Sequence, residues 1–193
     1  RYGDTVVLER LNLTLAPGTF CAVVGASGAG KSTFLKLLLS ELTPTEGSIT
    51  LGGRPLPQEP GPERGVVYQR YSVFPHLTAL ENVCFGLERT QGNAILGRTW
   101  GAKRRALRAE ARDLVVAVGL PAAAERCPGA LSGGMQQRLA LAQTLALKPE
   151  LLLLDEPFGA LDPGNKQAAH ALLQQLWAKR GMTVVMVTHD LSE

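Results

Sequence analysis

No apolar run in this sequence approaches the roughly 18 residues that a membrane-spanning helix needs, and no charged–apolar–small layout marks a secretory leader. Cysteine is scarce as well. Cys21, Cys84 and Cys127 are odd in number and far apart, so they match neither a disulfide framework nor a zinc spacing, and they read as reduced thiols of a cytosolic protein. Charge of one sign is lacking too: the net charge is only +3, without the dominant basic face expected of a nucleic-acid binder. Charged residues, at 19%, do not reach the proportion typical of disordered chains, and the 45% hydrophobic content is enough for one sizeable core. No low-complexity tract, linker or repeat divides the 193 residues. The chain opens on Arg1 and closes at Glu193, a few residues after a strand-like run, so a piece truncated at both ends is expected.

What is present is a regular alternation. Residues 5–8 and 11–15 are short apolar stretches that suit edge strands, and Pro17-Gly18 marks a turn. Residues 20–24 are apolar and partly β-branched, as in a buried strand; a glycine-rich turn follows, and 32–39 read as a helix. Residues 48–51 and 66–68 are strand-like. From about 72 to 148 the pattern becomes helical: Leu107, Ala111, Leu114, Val115 and Val118 recur at helical spacing, and so do Leu139, Leu141, Ala142, Leu145 and Ala146. Residues 151–154 are four consecutive leucines, which suits a strand buried on both faces of a parallel sheet. A helix over 168–177 and a buried strand over 183–188 complete the series. The expectation is an α/β sheet with right-handed crossovers. Its core occupies about 1–70 and 149–193, with a helical subdomain inserted at about 71–148.

Three segments carry chemistry. Gly25-Ala26-Ser27-Gly28-Ala29-Gly30-Lys31-Ser32 fits G-x-x-x-x-G-K-[ST] between a strand and a helix, the context this phosphate-binding pattern requires. The start of a helix leaves N–H groups unpaired and partly positive. Glycines let the backbone curl so that these donors converge on phosphate oxygens. Lys31 adds a full charge there, and the Ser32 hydroxyl is placed to ligate Mg²⁺. Second, the leucine strand ends in Asp155-Glu156, at the strand end where parallel sheets bind ligands. Asp155 suits the shell of a metal ion, and Glu156 suits a base that takes a proton from water. Third, Leu131-Ser132-Gly133-Gly134-Met135 reads as a capped helix start, a second anion-binding end with no ligand of its own nearby in sequence.

Together these segments resemble the nucleotide-binding domain of ABC transporters. The Walker A motif matches Gly25 to Ser32, the signature Leu131 to Met135, and Walker B Leu151 to Glu156. Gln69 resembles the Q-loop glutamine, Gly159-Ala160-Leu161-Asp162 the D-loop, His189 the switch histidine, and Tyr2 the aromatic that stacks on adenine. The resemblance covers essentially the whole chain. It implies a P-loop NTPase (RecA-like) core with an antiparallel β edge and an inserted helical signature subdomain. It further implies ATP and Mg²⁺ as ligands. The catalytic residues would be Glu156, His189 and Gln69, with Ser32, Gln69 and Asp155 on the metal. Nucleotide contacts would come from Tyr2, Gly25, Ala26, Ser27, Gly28, Ala29, Gly30, Lys31, Ser32 and Thr33, and from Ser132, Gly133, Gly134 and Asp162.

The partners implied are a second ATPase subunit packed head to tail, transmembrane permease subunits, and an external substrate-binding protein, with no nucleic acid. The location implied is the cytoplasmic face of the cell membrane. The stretch 71–83 and the Asp155–Asp162 segment resemble bacterial importers of the nitrate, sulfonate and taurine type. A soluble ABC ATPase of DNA repair or translation is the alternative, and a non-hydrolysing regulatory module is a third reading that intact Lys31, Glu156 and His189 argue against. Lys103, Arg104, Arg105, Arg108 and Arg112 read as a solvated basic face, with contact to anionic lipid as the other possibility. The loop 87–102 has no assigned role.

Overall fold

The structure is a computed structural model and describes residues 5–69, 72–91, 101–159, 161 and 163–189. Among the described residues, four parallel strands form the main sheet: β1 (Phe20–Val24), β4 (Arg64–Val67), β5 (Leu151–Asp155) and β6 (Thr183–Thr188), in the order β1-β6-β5-β4. A two-stranded antiparallel hairpin, β2 (Thr50–Leu51) and β3 (Arg54–Pro55), stands apart from it. The helices are α1 (Lys31–Leu38), α2 (Ala79–Gln91), α3 (Gly101–Ala117), α4 (Gly133–Ala146) and α5 (Pro163–Arg180).

The inner strands are the continuous apolar runs. Leu151 to Leu154 are all buried, and so are Val184 to Thr188. β6 lies between β1 and β5, with Val185 opposite both Cys21 and Leu153. One face of this sheet packs on α1 through Phe34, Leu35 and Leu39. The other face shares a larger core with α2, α3, α4 and α5, in which Leu80, Val83, Leu87, Val115, Leu139 and Leu145 are wholly enclosed. Helices in the 79–146 stretch therefore close directly on the sheet, and the predicted helical periodicity of 107–118 marks their buried side.

Two corrections concern the edge of the fold. Residues 5–8 and 11–15 form no strand: apart from an isolated bridge at Thr5, this segment is irregular, and Val6, Leu11 and Leu13 are exposed. Only Leu8 and Leu15 pack on the core. Short apolar stretches record burial on one side but do not supply a pairing partner. The antiparallel element comes instead from the Gly52-Gly53 turn. Both glycines have positive φ (57° and 76°), the geometry of a tight hairpin.

Local anchors fix the ends of several elements. Buried Arg64, at the start of β4, donates to the carbonyls of Leu38, Pro57 and Glu59 and to Ser40 Oγ, and it pairs with Glu63 at 2.9 Å. It thereby ties the end of α1 to the sheet. α2 begins with a reciprocal capping box: Thr78 N donates to Glu81 Oε2 (2.9 Å) and Glu81 N to Thr78 Oγ1 (3.2 Å). These bonds to Thr78 hold the Glu81 carboxyl below its usual range. A carboxyl whose folded value is lowered stabilises above its unfolded value, and that contribution disappears as pH falls through the folded one. Glu81→Gln is therefore expected to lower stability at neutral pH by less than about 1 kcal/mol, since the group is exposed. The difference should shrink as the pH is lowered, which parallel melting curves at about pH 7 and about pH 3 would reveal.

On the basic face of α3, Arg108 and Arg112 both reach Glu125, at 3.5 and 3.3 Å. All three are well exposed, so these pairs are worth little. Among the described residues no helix is long and apolar enough to cross a membrane.

Candidate active site

Four of the predicted functional side chains meet where the sheet strands end. The phosphate loop runs from β1 into α1 and is curled by Gly28 (φ 83°) and Gly30 (φ 88°). Gly30 has a second constraint, because a Cβ there would stand 3.0 Å from the Val7 and Leu8 side chains. Gly25 N donates to Thr188 O, which ties the loop to β6. Lys31, the first helical residue, is buried and folds back so that its Nζ donates to Gly25 O (2.7 Å) and Ala26 O (3.0 Å).

Among the described residues, no hydrogen bond engages the N–H groups of Gly28, Gly30, Lys31 or Ser32. The first turn of α1 has neither an acidic residue nor a side-chain cap. A row of free donors at the positive end of a helix, with no protein anion against it, is what a phosphate chain needs.

β5 delivers the acids. Glu156, just past the strand, has φ 45°, a left-handed conformation unusual for a non-glycine residue. Its N–H donates to Val187 O (2.9 Å), so β6 holds this turn in place. The strained backbone aims the carboxylate back at the phosphate loop. Oε1 lies 4.0 Å from Lys31 Nζ and Oε2 lies 3.1 Å from His189 Nδ1. Neighbouring Asp155 is half-buried, and its carboxyl is pushed up by burial first and by the Glu156 charge second, with Lys31 pulling the other way. Its carboxylate form is thus short of countercharge, which favours a cation beside it.

The donor set fits Mg²⁺ rather than a metal caged by protein. Asp155 and Ser32 offer hard oxygens, and among the described residues no group of three or more His, Cys, Asp or Glu could hold an ion. Mg²⁺ commonly takes one or two protein oxygens and draws the rest from phosphate and water.

Gln69 is exposed, two residues past β4. Val66 is paired with Leu153, so Gln69 and Glu156 each lie three residues beyond the same rung of the sheet. The signature segment sits elsewhere. Ser132 caps α4, with its Oγ accepting from Met135 N at 3.4 Å. The glycines after it leave the helix end open, and Ser132 and Gly133 are exposed. Among the described residues, no hydrogen bond or ion pair joins 131–135 to 25–33 within one chain. Tyr2 and Asp162 lie outside the described residues.

Comparison with known proteins decides the family. The model of the ABC transporter family matches residues 8–159. The chain belongs to the ABC transporter family. It is 44% identical over 191 residues to the bicarbonate transport ATP-binding protein CmpD of Synechocystis, which covers 99% of this chain. It is 40% identical over 195 residues to the Fe(3+) ions import ATP-binding protein FbpC of Brucella abortus, which covers all of it. The chain spans 64% of the first relative's length and 52% of the second's.

Two solved ABC structures share the fold. The ATP-binding cassette MJ0796, solved as a post-hydrolysis dimer bound to ADP and Pi, is 34% identical with a TM-score of 0.79; the match covers 96% of this chain and 81% of that one. The cbiO1 protein of Clostridium perfringens, part of the ABC transporter complex cbiONQ, is 25% identical with a TM-score of 0.84; here the match covers 98% and 75%. Both agree with the P-loop fold expected from the Walker motifs.

Two residues that shape this ABC domain have no role of their own legible in the sequence, although both lie in or beside motif segments. Asn82 is wholly buried in α2. Its Oδ1 accepts from Phe74 N, and its Nδ2 donates to the carbonyls of Phe74, Leu77 and Thr78. It fixes the loop that follows the Gln69 segment. Arg138 donates to Val118 O, Gly119 O and Gly134 O, clamping the end of α3 to the start of the signature helix. A polar residue among apolar helical positions is the available clue to Asn82.

Proposed function

We propose that this protein is the ATP-hydrolysing subunit of an ABC importer, acting as one half of a head-to-tail dimer beneath transmembrane permease subunits. The observation that carries the reading is the meeting of Lys31, Asp155, Glu156 and His189 around a phosphate loop whose Gly28, Gly30, Lys31 and Ser32 N–H donors are free among the described residues. The names of the relatives support import: one is a bicarbonate transport protein and another imports Fe(3+). The dimeric cassette with ADP and Pi supports a nucleotide site shared between two copies. An external substrate-binding protein and a place on the cytoplasmic face of the membrane belong to the same reading.

The residues divide the work. The N–H groups of 28–32 and the Lys31 ammonium hold the β- and γ-phosphates, so Lys31 must exchange Gly25 O and Ala26 O for phosphate oxygens. A Mg²⁺ held by Ser32, Asp155 and Gln69 would neutralise charge developing on those oxygens. Glu156 takes the proton of the attacking water as the oxygen bonds to the γ-phosphorus and the bond to the bridging oxygen breaks. His189 leaves Glu156 Oε2 for the γ-phosphate. Ser132, Gly133 and Gly134 of the second copy, with its Asp162, would close the site from the other side, and Tyr2 would stack on adenine.

The test separates the two helix ends. Ser132→Arg puts a bulky cation at the proposed intersubunit position. It is expected to leave nucleotide binding to the monomer nearly intact and to weaken ATP-driven dimerisation by about tenfold, the cost of overfilling a packed contact. Analytical ultracentrifugation with and without ATP reads the second quantity, and fluorescent-nucleotide titration the first. A loss of monomer binding equal to that of Lys31→Ala would sink the shared-site reading.

A further inference from the structure

Gln137 stands out as a buried polar side chain for which the site described above has no use. It is only 4% exposed, and neither Oε1 nor Nε2 has a hydrogen-bond partner. A carboxamide can make four hydrogen bonds, and leaving all of them unmade in a buried place is costly. Its neighbours on α4 are committed elsewhere: Gln136 Nε2 donates to Pro128 O and Leu131 O, and Arg138 clamps α3.

The register of α4 against the sheet places this amide. Seven residues further along the helix, and so nearly on the same face, Thr144 donates to Val66 O of β4. A Cβ on Gly65 would collide with Thr144 and crowd Pro149, so the end of α4 lies over the beginning of β4. β4 and β5 are parallel and the chain passes from α4 into β5, so the crossover sets α4 antiparallel in direction to β4, the strand on which it packs. Seven helical residues back from Thr144 rise about 10 Å. Three strand residues forward from Val66 or Leu153 cover about 10 Å as well. On that spacing Gln137 falls about level with Gln69 and Glu156, at the end of the sheet where the catalytic groups gather.

We propose that Gln137 is a positioning residue for hydrolysis: its carboxamide bonds the main chain at Tyr68 and Gln69 once nucleotide has drawn that segment inward, and so sets Gln69 from the signature helix of the same chain. This rests on the ATPase reading above. The unpaired amide makes the resting arrangement less favourable than the engaged one, which biases the segment toward engagement when nucleotide arrives. The same helix carries Ser132 at its start, so a partner pressing on the signature end moves the support of Gln69 as well.

The test uses the full-length protein and two apolar replacements of similar length, Gln137→Leu and Gln137→Met. Without nucleotide, both are expected to melt at or above the wild-type temperature, because they remove an unsatisfied polar group. With ATP and Mg²⁺, kcat should fall about tenfold while KM for ATP stays within about twofold, the mark of a positioning defect. In a Gln69→Ala background the further substitution should cost nothing more. A readout free of turnover comes from hydrogen exchange in Glu156→Gln protein, where ATP and Mg²⁺ should slow the amides of Tyr68 and Gln69 only when Gln137 is present. Unchanged kcat, a further tenfold loss on top of Gln69→Ala, or a lowered melting temperature in both variants would overturn the proposal. A wild-type protein that binds but never hydrolyses ATP would instead overturn the ATPase reading beneath it.

Discussion

Glu156→Gln is expected to stop turnover almost completely, by about 10²–10⁴-fold, while ATP binding survives. The substitution keeps the size of the side chain and one hydrogen-bonding oxygen but removes the carboxylate that would accept the proton of water. Binding should persist because the loop donors and Lys31 are untouched, and Lys31 loses a neighbour 4.0 Å away that competes for its charge. The backbone of Glu156 already occupies a left-handed conformation held by Val187 O, and glutamine inherits that turn at no greater steric cost. An ATP-bound dimer should therefore accumulate. Single-turnover hydrolysis beside size-exclusion chromatography in ATP measures both outcomes. Hydrolysis near the wild-type rate would remove Glu156 from the role of base.

Lys31→Ala acts one step earlier, on binding. A hydrogen bond to a charged group contributes about 1.5–3 kcal/mol, so removing the ammonium should weaken ATP about ten- to a hundredfold. Equilibrium titration of the monomer with a fluorescent nucleotide measures this directly. The structure adds a second consequence. Gly25 O and Ala26 O lose the donor that closes the loop, so the loop itself should loosen in the nucleotide-free protein. Protection of amides 25–31 from hydrogen exchange should fall in Lys31→Ala and stay unchanged in Ser132→Arg. Affinity within about twofold of wild type would mean that the loop donors alone bind the phosphates and that Lys31 serves only the loop.

The strands that build the site were legible because each is a local statement. Residues 20–24 and 183–188 form strands with the predicted bounds, and the leucine run at 151 extends only to Asp155. In β5 and β6, burial on both faces leaves no freedom to alternate, so the apolar run is also the strand's extent; β1, expected to be buried, instead stands at the end of the described strand order with Ala22 and Val24 exposed. The phosphate loop was legible for a related reason. Glycine spacing, the lysine and the hydroxyl are all demanded by one short backbone path, with Gly28 and Gly30 supplying the positive φ. The capped start of α4 was legible as well, since Ser132 bonds an N–H only three residues away. The segment at 5–15 looks like strand in the sequence and is not one, because a strand exists only with a partner and no short apolar stretch names its own.

The family, the sheet's inner strands, the phosphate loop and the identity of the acids at the end of β5 are all readable from residue order. Folding is what brings His189, 33 residues after Glu156 in the sequence, to 3.1 Å from its carboxylate, and what makes Asp155 reluctant to ionise through burial. The tertiary structure alone revealed that Asn82 anchors the loop before α2, and that Gln137 is enclosed without a partner. The physical reason is one of range. Dihedral preference, capping and periodicity act over a few residues and leave their mark in residue order. The register of a helix against a sheet and the desolvation of a carboxylate are sums over neighbours that come together only when the chain has folded.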